Sequence, residues 1–101
     1  MSRRLELHQI LVDILGSGNV YFQPPASVQM KYPCIIYGRI GLEPKYANNR
    51  MYMHKKRYQV TVVDKNPDSV IHEKILKLPL CKFDRHYNKD NLNHDVYTLY
   101  F

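Results

Sequence analysis

The chain has no tryptophan, two cysteines, four glycines and four serines among its 101 residues. Each scarcity closes off a class of function. Cys34 and Cys81 are too few for a disulfide framework. Both sit in apolar, strand-like runs, where a thiol is expected to be reduced and inert. None of Ser2, Ser17, Ser27 or Ser69 stands in the Gly-x-Ser-x-Gly setting of a nucleophile elbow. Gly16-Ser17-Gly18-Asn19 is too short for a phosphate loop, and no Gly-Lys-Ser/Thr follows it. No apolar run reaches the roughly 20 residues that a membrane helix needs. Glu6, His8 and Gln9 interrupt any signal-peptide core after the basic start. The expectation is a cytoplasmic, unprocessed protein with no cofactor and no positive case for catalysis.

What the chain does have is cation and tyrosine. Lys and Arg number 15 against 9 Asp and Glu, a formal charge of +6. That excess favours an acidic partner: nucleic acid, an anionic surface or an acidic protein face. Nine tyrosines and a hydrophobic fraction of 45% argue against disorder. The length suits one domain with a modest core.

The hydrophobic pattern predicts two helices and five strands. Ser2 can cap a first helix in which Leu7, Leu11, Ile14 and Leu15 share a face, with Leu5 close to it. Gly16 to Asn19 ends that helix, Val20 to Gln23 is a short β-like run, and Pro24-Pro25 closes it. A clear strand follows from Cys34 to Leu42, then a turn composition from Glu43 to Arg50, then a strand from Tyr52 to Asp64. These two strands make a long antiparallel hairpin whose outer half is basic and polar and is expected to project. Asn66 is expected to cap a second helix with Pro67 at its first position and Ile71, Ile75 and Leu78 as its stripe. Leu80 to Tyr87 is the next strand, Asn88 to Asn91 a turn, and Asn93 to Phe101 the last strand. The fold class is α+β in the order α-β-β-β-α-β-β, with an antiparallel sheet around a long central hairpin and both helices on one face. The last strand reaches the last residue, so the expectation is one domain over residues 1–101 without an appended tail.

Three groups of residues invite a functional reading. Asp84, His86, Asp90, His94 and Asp95 cluster in the last two strands, and His and Asp are ligands for borderline metals. Their spacing matches no ligand motif such as His-Glu-x-x-His, and turn chemistry also accounts for the residues around Asn88 to Asn91, with His86 and His94 as cross-strand neighbours. The tyrosines interleave with basic residues, as on a base-stacking sheet, but tyrosine also suits a half-wet core or an interface. Lys45, Arg50, His54, Lys55, Lys56 and Arg57 mark the hairpin. They could face DNA phosphates or an assembly partner, or form a solvated edge that blocks unwanted strand pairing.

With its element order, its long hairpin, and the runs Tyr58-Gln-Val-Thr-Val-Val-Asp64, Asn66-Pro-Asp-Ser69 and Asn93-His-Asp-Val-Tyr-Thr-Leu-Tyr-Phe101, the chain resembles the tail terminator, or tail completion, proteins of long-tailed bacteriophages and prophages. Head–tail connector and stopper proteins of the same gene neighbourhood share these features. The resemblance implies a non-enzymatic virion protein at the tail–head junction. Such proteins cap the tail tube as a ring, usually a hexamer, and present a surface to the head connector while DNA passes through. Two other readings stand beside it: a small basic nucleic-acid-binding protein, and a metal-dependent hydrolase built on Asp84, His86, His94 and Asp95.

Overall fold

Two helices and a five-stranded sheet make up the computed structural model, in the order α1 (Arg3–Leu15), β1 (Val20–Phe22), β2 (Cys34–Ala47), β3 (Arg50–Asp64), α2 (Val70–Leu76), β4 (Cys81–Lys89) and β5 (Leu92–Tyr100). The structure describes residues 3–25, 27, 29–47, 50–66 and 68–101, with side chains described in these except over 41–55. The α+β class and the element order are those the hydrophobic pattern predicts. Among the described residues no helix is long and apolar enough to cross a membrane.

The strands lie in the order β1-β2-β3-β5-β4. Three of the pairings are antiparallel, as expected, but β1 joins β2 in parallel, with Val20 opposite Ile35 and Phe22 opposite Tyr37. The sheet is therefore mixed. A parallel neighbour needs a connection of about a dozen residues, and the stretch between Phe22 and Cys34 supplies it.

Alternation along the strands sends Ile35 and Tyr37 of β2, Tyr58, Val60 and Val62 of β3, and Tyr97 and Leu99 of β5 to one face. Leu7 and Leu11 of α1 and Ile71 and Ile75 of α2 meet them there in a single core, so both helices cover the same face. Full burial of each such aliphatic side chain contributes about 1.5–3 kcal/mol. Ile14, Leu15 and Leu78 pack at the margin of the core, whereas Leu5 is exposed. On the opposite face Cys34 and Val63 are also buried and sit side by side in the ladder.

Helix and turn boundaries follow local chemistry. Gly16, at φ 81°, ends α1, and its N–H donates to Val12 O at 2.9 Å. The Ser2 cap lies outside the described residues. For α2 the cap is Ser69 rather than Asn66: Ser69 Oγ accepts from Ile71 N at 3.3 Å. Asp64 and Asn66 instead accept from the backbone two residues on, from Asn66 N and Asp68 N, each at 3.0 Å. Two successive turns of this kind hold the chain out of helical conformation and delay the helix start. Pro67 is outside the described residues. Between β4 and β5 the chain turns on Asp90 and Asn91, both at positive φ (54° and 61°), as a two-residue hairpin turn requires.

The segment expected as a turn, Glu43 to Arg50, is mostly strand. β2 runs on to Ala47 and β3 begins at Arg50, with Pro44 opposite His54. Proline is tolerated there because β2 has no second neighbour at that level: β1 accompanies it only from Ile35 to Tyr37. Likewise β5 accompanies β3 only from Arg57 to Asp64. The rest of the hairpin is a two-stranded ribbon, and the molecule measures 48 Å along its longest axis against 25 and 23 Å across it.

Candidate functional site

Two concave regions lie on the helix-covered face, one at each end of the sheet. The first is at the root of the ribbon. Arg4 comes from the first turn of α1, Phe22 and Gln23 from the end of β1, Arg39 from β2, and Lys56 and Tyr58 from β3, and together they line a groove of about 370 Å³. Arg39 continues the inward alternation of Ile35 and Tyr37 past the edge of the core. A register shift between Arg39 and Gly41 follows, and Lys56 shares the face of Tyr58.

The cations of this groove are held by aromatic rings. The Arg4 guanidinium lies 4.5 Å from the Phe22 ring centroid, and Arg3 lies 4.4 Å from that of Phe101 just outside the groove. Such contacts add about 0.5–1 kcal/mol at exposed sites. The Tyr37 hydroxyl shares a hydrogen bond with His8 Nδ1 at 2.7 Å. Burial pushes the Tyr37 phenol above its ordinary range, against the opposing pull of Arg4. Gln23 Oε1 accepts from Arg39 N at 3.2 Å, and Lys56 O accepts from Phe101 N at 3.0 Å. Among the described residues no carboxylate forms an ion pair with Arg4, Arg39 or Lys56.

The second region is a cleft of about 450 Å³ between α2 and the β4–β5 hairpin, lined by Asp68, Ser69, His72, Glu73, His86 and Asp95. His86 Nδ1 donates to Asp95 Oδ1 at 2.6 Å, and His72 Nδ1 stands 4.0 Å from the other oxygen. His72 also hydrogen-bonds the Tyr97 hydroxyl and meets the Phe83 ring edge-on at 5.3 Å. Burial first, then the neighbouring Asp95, pushes the Tyr97 phenol well above its ordinary range, so Tyr97 stays a neutral hydrogen-bonding group. An aspartate that orients a histidine is one part of a hydrolytic triad. The one hydroxyl lining the cleft, Ser69, caps α2 instead, and among the described residues no hydrogen bond links it to either histidine.

The hydrolase set suggested by the sequence is divided. The two-residue turn at Asp90 and Asn91 pairs His86 with Asp95 and Tyr87 with His94. Adjacent registers point to opposite faces, so His86 and Asp95 face α2 while His94 stacks on Tyr87, 4.6 Å between centroids, on the far side. His86 and His94 are thus not neighbours on one face. Asp84 accepts from Thr98 Oγ1 at the register shift between Phe83 and Arg85. Among the described residues no three His, Cys, Asp or Glu side chains gather closely enough to hold a metal. Cys34 and Cys81 are free thiols on opposite faces, and burial pushes the Cys34 thiol up to about 11.

Of the hairpin residues singled out in the sequence, Lys56 lines the groove. Arg57 is half-buried where β5 meets β3. The side chains of Lys45, Arg50, His54 and Lys55 lie outside the described residues. Sequence reasoning missed Arg4, Gln23 and Arg39. A signal was present for Arg39, a cation that prolongs a buried alternation. The tyrosines divide as well: Tyr37, Tyr58 and Tyr97 are core, while Tyr32 and Tyr87 are exposed.

No protein-family model, curated protein or solved structure matches the chain.

Proposed function

We propose that this chain is a non-enzymatic assembly protein of a long-tailed phage or prophage, a tail terminator. It caps the tail tube as a ring of identical copies, six by the resemblance, and joins it to the head connector or stopper while DNA passes through. Its place would be the tail–head junction of the virion. The observation that carries this reading is the ribbon. Most of the outer half of the β2–β3 hairpin pairs only with itself, beyond the ends of β1 and β5. A two-stranded ribbon is marginally stable alone, so a ribbon of this length is suited to packing against another subunit. Identical copies joined head to tail in this way close into a ring when the rotation allows.

Deleting the gene from a phage that carries it tests the reading. The expected result is DNA-filled heads and separate, unjoined tails in electron micrographs, with joining restored by the purified chain. Normal virions from the deletion strain would reject it.

A further inference from the structure

We infer that the groove formed by Arg4, Arg39 and Lys56 is a binding site for the phosphodiester backbone of nucleic acid, gripping it without reading sequence. The inference deepens the assembly reading, from which it takes only that DNA is a partner. Three cations from three separate elements converge on one concavity, and among the described residues no carboxylate pairs with any of them. Like charges gathered without counter-charge repel one another, and an anion in the groove relieves that repulsion.

The chemistry of the groove selects among anions. The guanidinium of Arg4 lies over Phe22 at 4.5 Å, which holds its plane and leaves N–H groups at its rim for two oxygens of one acceptor such as phosphate. The same contact covers the ring that a base would need for stacking, and Tyr58 is buried. Base readout therefore has no platform, while backbone contact does. Extent argues for a polymer over a single carboxylate, because the three cations stand on α1, β2 and β3 along one groove. A duplex presents about one negative charge per 1.7 Å of its axis, a spacing that can meet the groove cations at more than one point.

The test is fluorescence anisotropy of the full chain with a fluorescein-labelled random-sequence duplex, titrated at several salt concentrations. The Arg39→Gln/Lys56→Gln double variant should bind more weakly, with a log–log salt slope shallower by roughly 1–2. Arg4→Lys keeps the charge and loses the fork. It should weaken binding several-fold at constant slope, and it keeps the inference testable should the double variant not fold. Lys82→Gln/Lys89→Gln removes the same net charge from the β4 edge and should leave affinity and slope near those of the parent. Equal loss in this control would reduce the effect to general attraction and overturn the inference. So would an unchanged slope in the groove variant, or a polyglutamate of equal charge that competes better than unlabelled duplex, which would assign the groove to an acidic polypeptide. Because the free chain is used, a parent chain that binds no duplex, together with unjoined heads and tails in the deletion strain, sinks the groove assignment alone. A parent chain that binds duplex, together with normal virions from the deletion strain, sinks the assembly reading alone.

Discussion

The two ends of the sheet handle their polar groups in opposite ways. In the cleft beside α2, the Asp95 carboxylate is met by His86, and His72 is met by the Tyr97 hydroxyl. In the groove at the ribbon root, Arg4 rests on Phe22, and among the described residues Arg39 and Lys56 have no carboxylate partner. A polar group satisfied inside the molecule has little left to offer a ligand, whereas an unpaired cation keeps its donors for one. The cleft is the larger cavity and has the more provocative residue types, yet its chemistry is closed on itself. The groove carries the proposal because, among the described residues, its cations have no carboxylate partner.

The comparison can be broken most severely by removing the anchors beneath each end. Leu11→Ala under α1 and Ile75→Ala under α2 each delete a fully buried side chain and should cost about 2–5 kcal/mol in urea denaturation. If both belong to one cooperative core, the two variants unfold in single transitions with the parent's m-value. A two-step transition in either would separate the ends into independent units.

The next effect is on pH. Burial raises the Cys34 thiol from 9.0 to about 11 and raises Cys81 in the same direction. The folded state thus holds these protons to higher pH than the unfolded chain does. The stabilisation is fully present below pH 9 and is lost as pH climbs toward about 11. A Cys34→Ala variant should lose less stability than the parent across that window in melting experiments. Equal losses in parent and variant would show that the thiol does not carry the linkage.

A sharper probe of the cleft is Tyr97→Phe. It removes the hydroxyl bonded to His72 and should destabilise by about 1 kcal/mol, with duplex binding unchanged. Altered duplex binding would mean that the two ends are coupled. The smallest expected effect belongs to the ribbon. Arg50→Ala, Lys55→Ala and Lys56→Ala together should shift stability by within about 0.5 kcal/mol per site, yet leave heads and tails unjoined in a phage that carries them. Normal plaque yield would return the ribbon cations to the role of a solvated edge.

Much of the fold was legible because local pattern and tertiary burial agree. The alternation of Tyr58, Val60 and Val62, the helical spacing of Leu7 and Leu11, and the Ile71–Ile75 stripe all became core. The hairpin and the turn near Asp90 were also legible, since strand residues flanking turn residues leave few alternatives. The helix start after Asp64 was misread, because turns made by Asp64 and Asn66 compete with a cap and sequence does not reveal which wins. The extension of the ribbon through Pro44 was missed because proline, alanine and asparagine report turn propensity, whereas pairing across a hairpin can carry them as strand.

What the amino-acid sequence determined by itself is the class, the order of elements and the identity of the inward faces, since these follow from periods of 2 and 3.6 residues along the chain. What only the tertiary structure decided is who meets whom. The parallel seat of β1 depends on the crossover before Cys34. A two-residue turn and its register put His86 beside Asp95 and set His94 on the opposite face. The groove joins Arg4, Arg39 and Lys56 from three elements far apart in the chain. Side-chain periodicity is a local property, whereas convergence requires strand order, register and helix placement to be set together, and no local pattern encodes those.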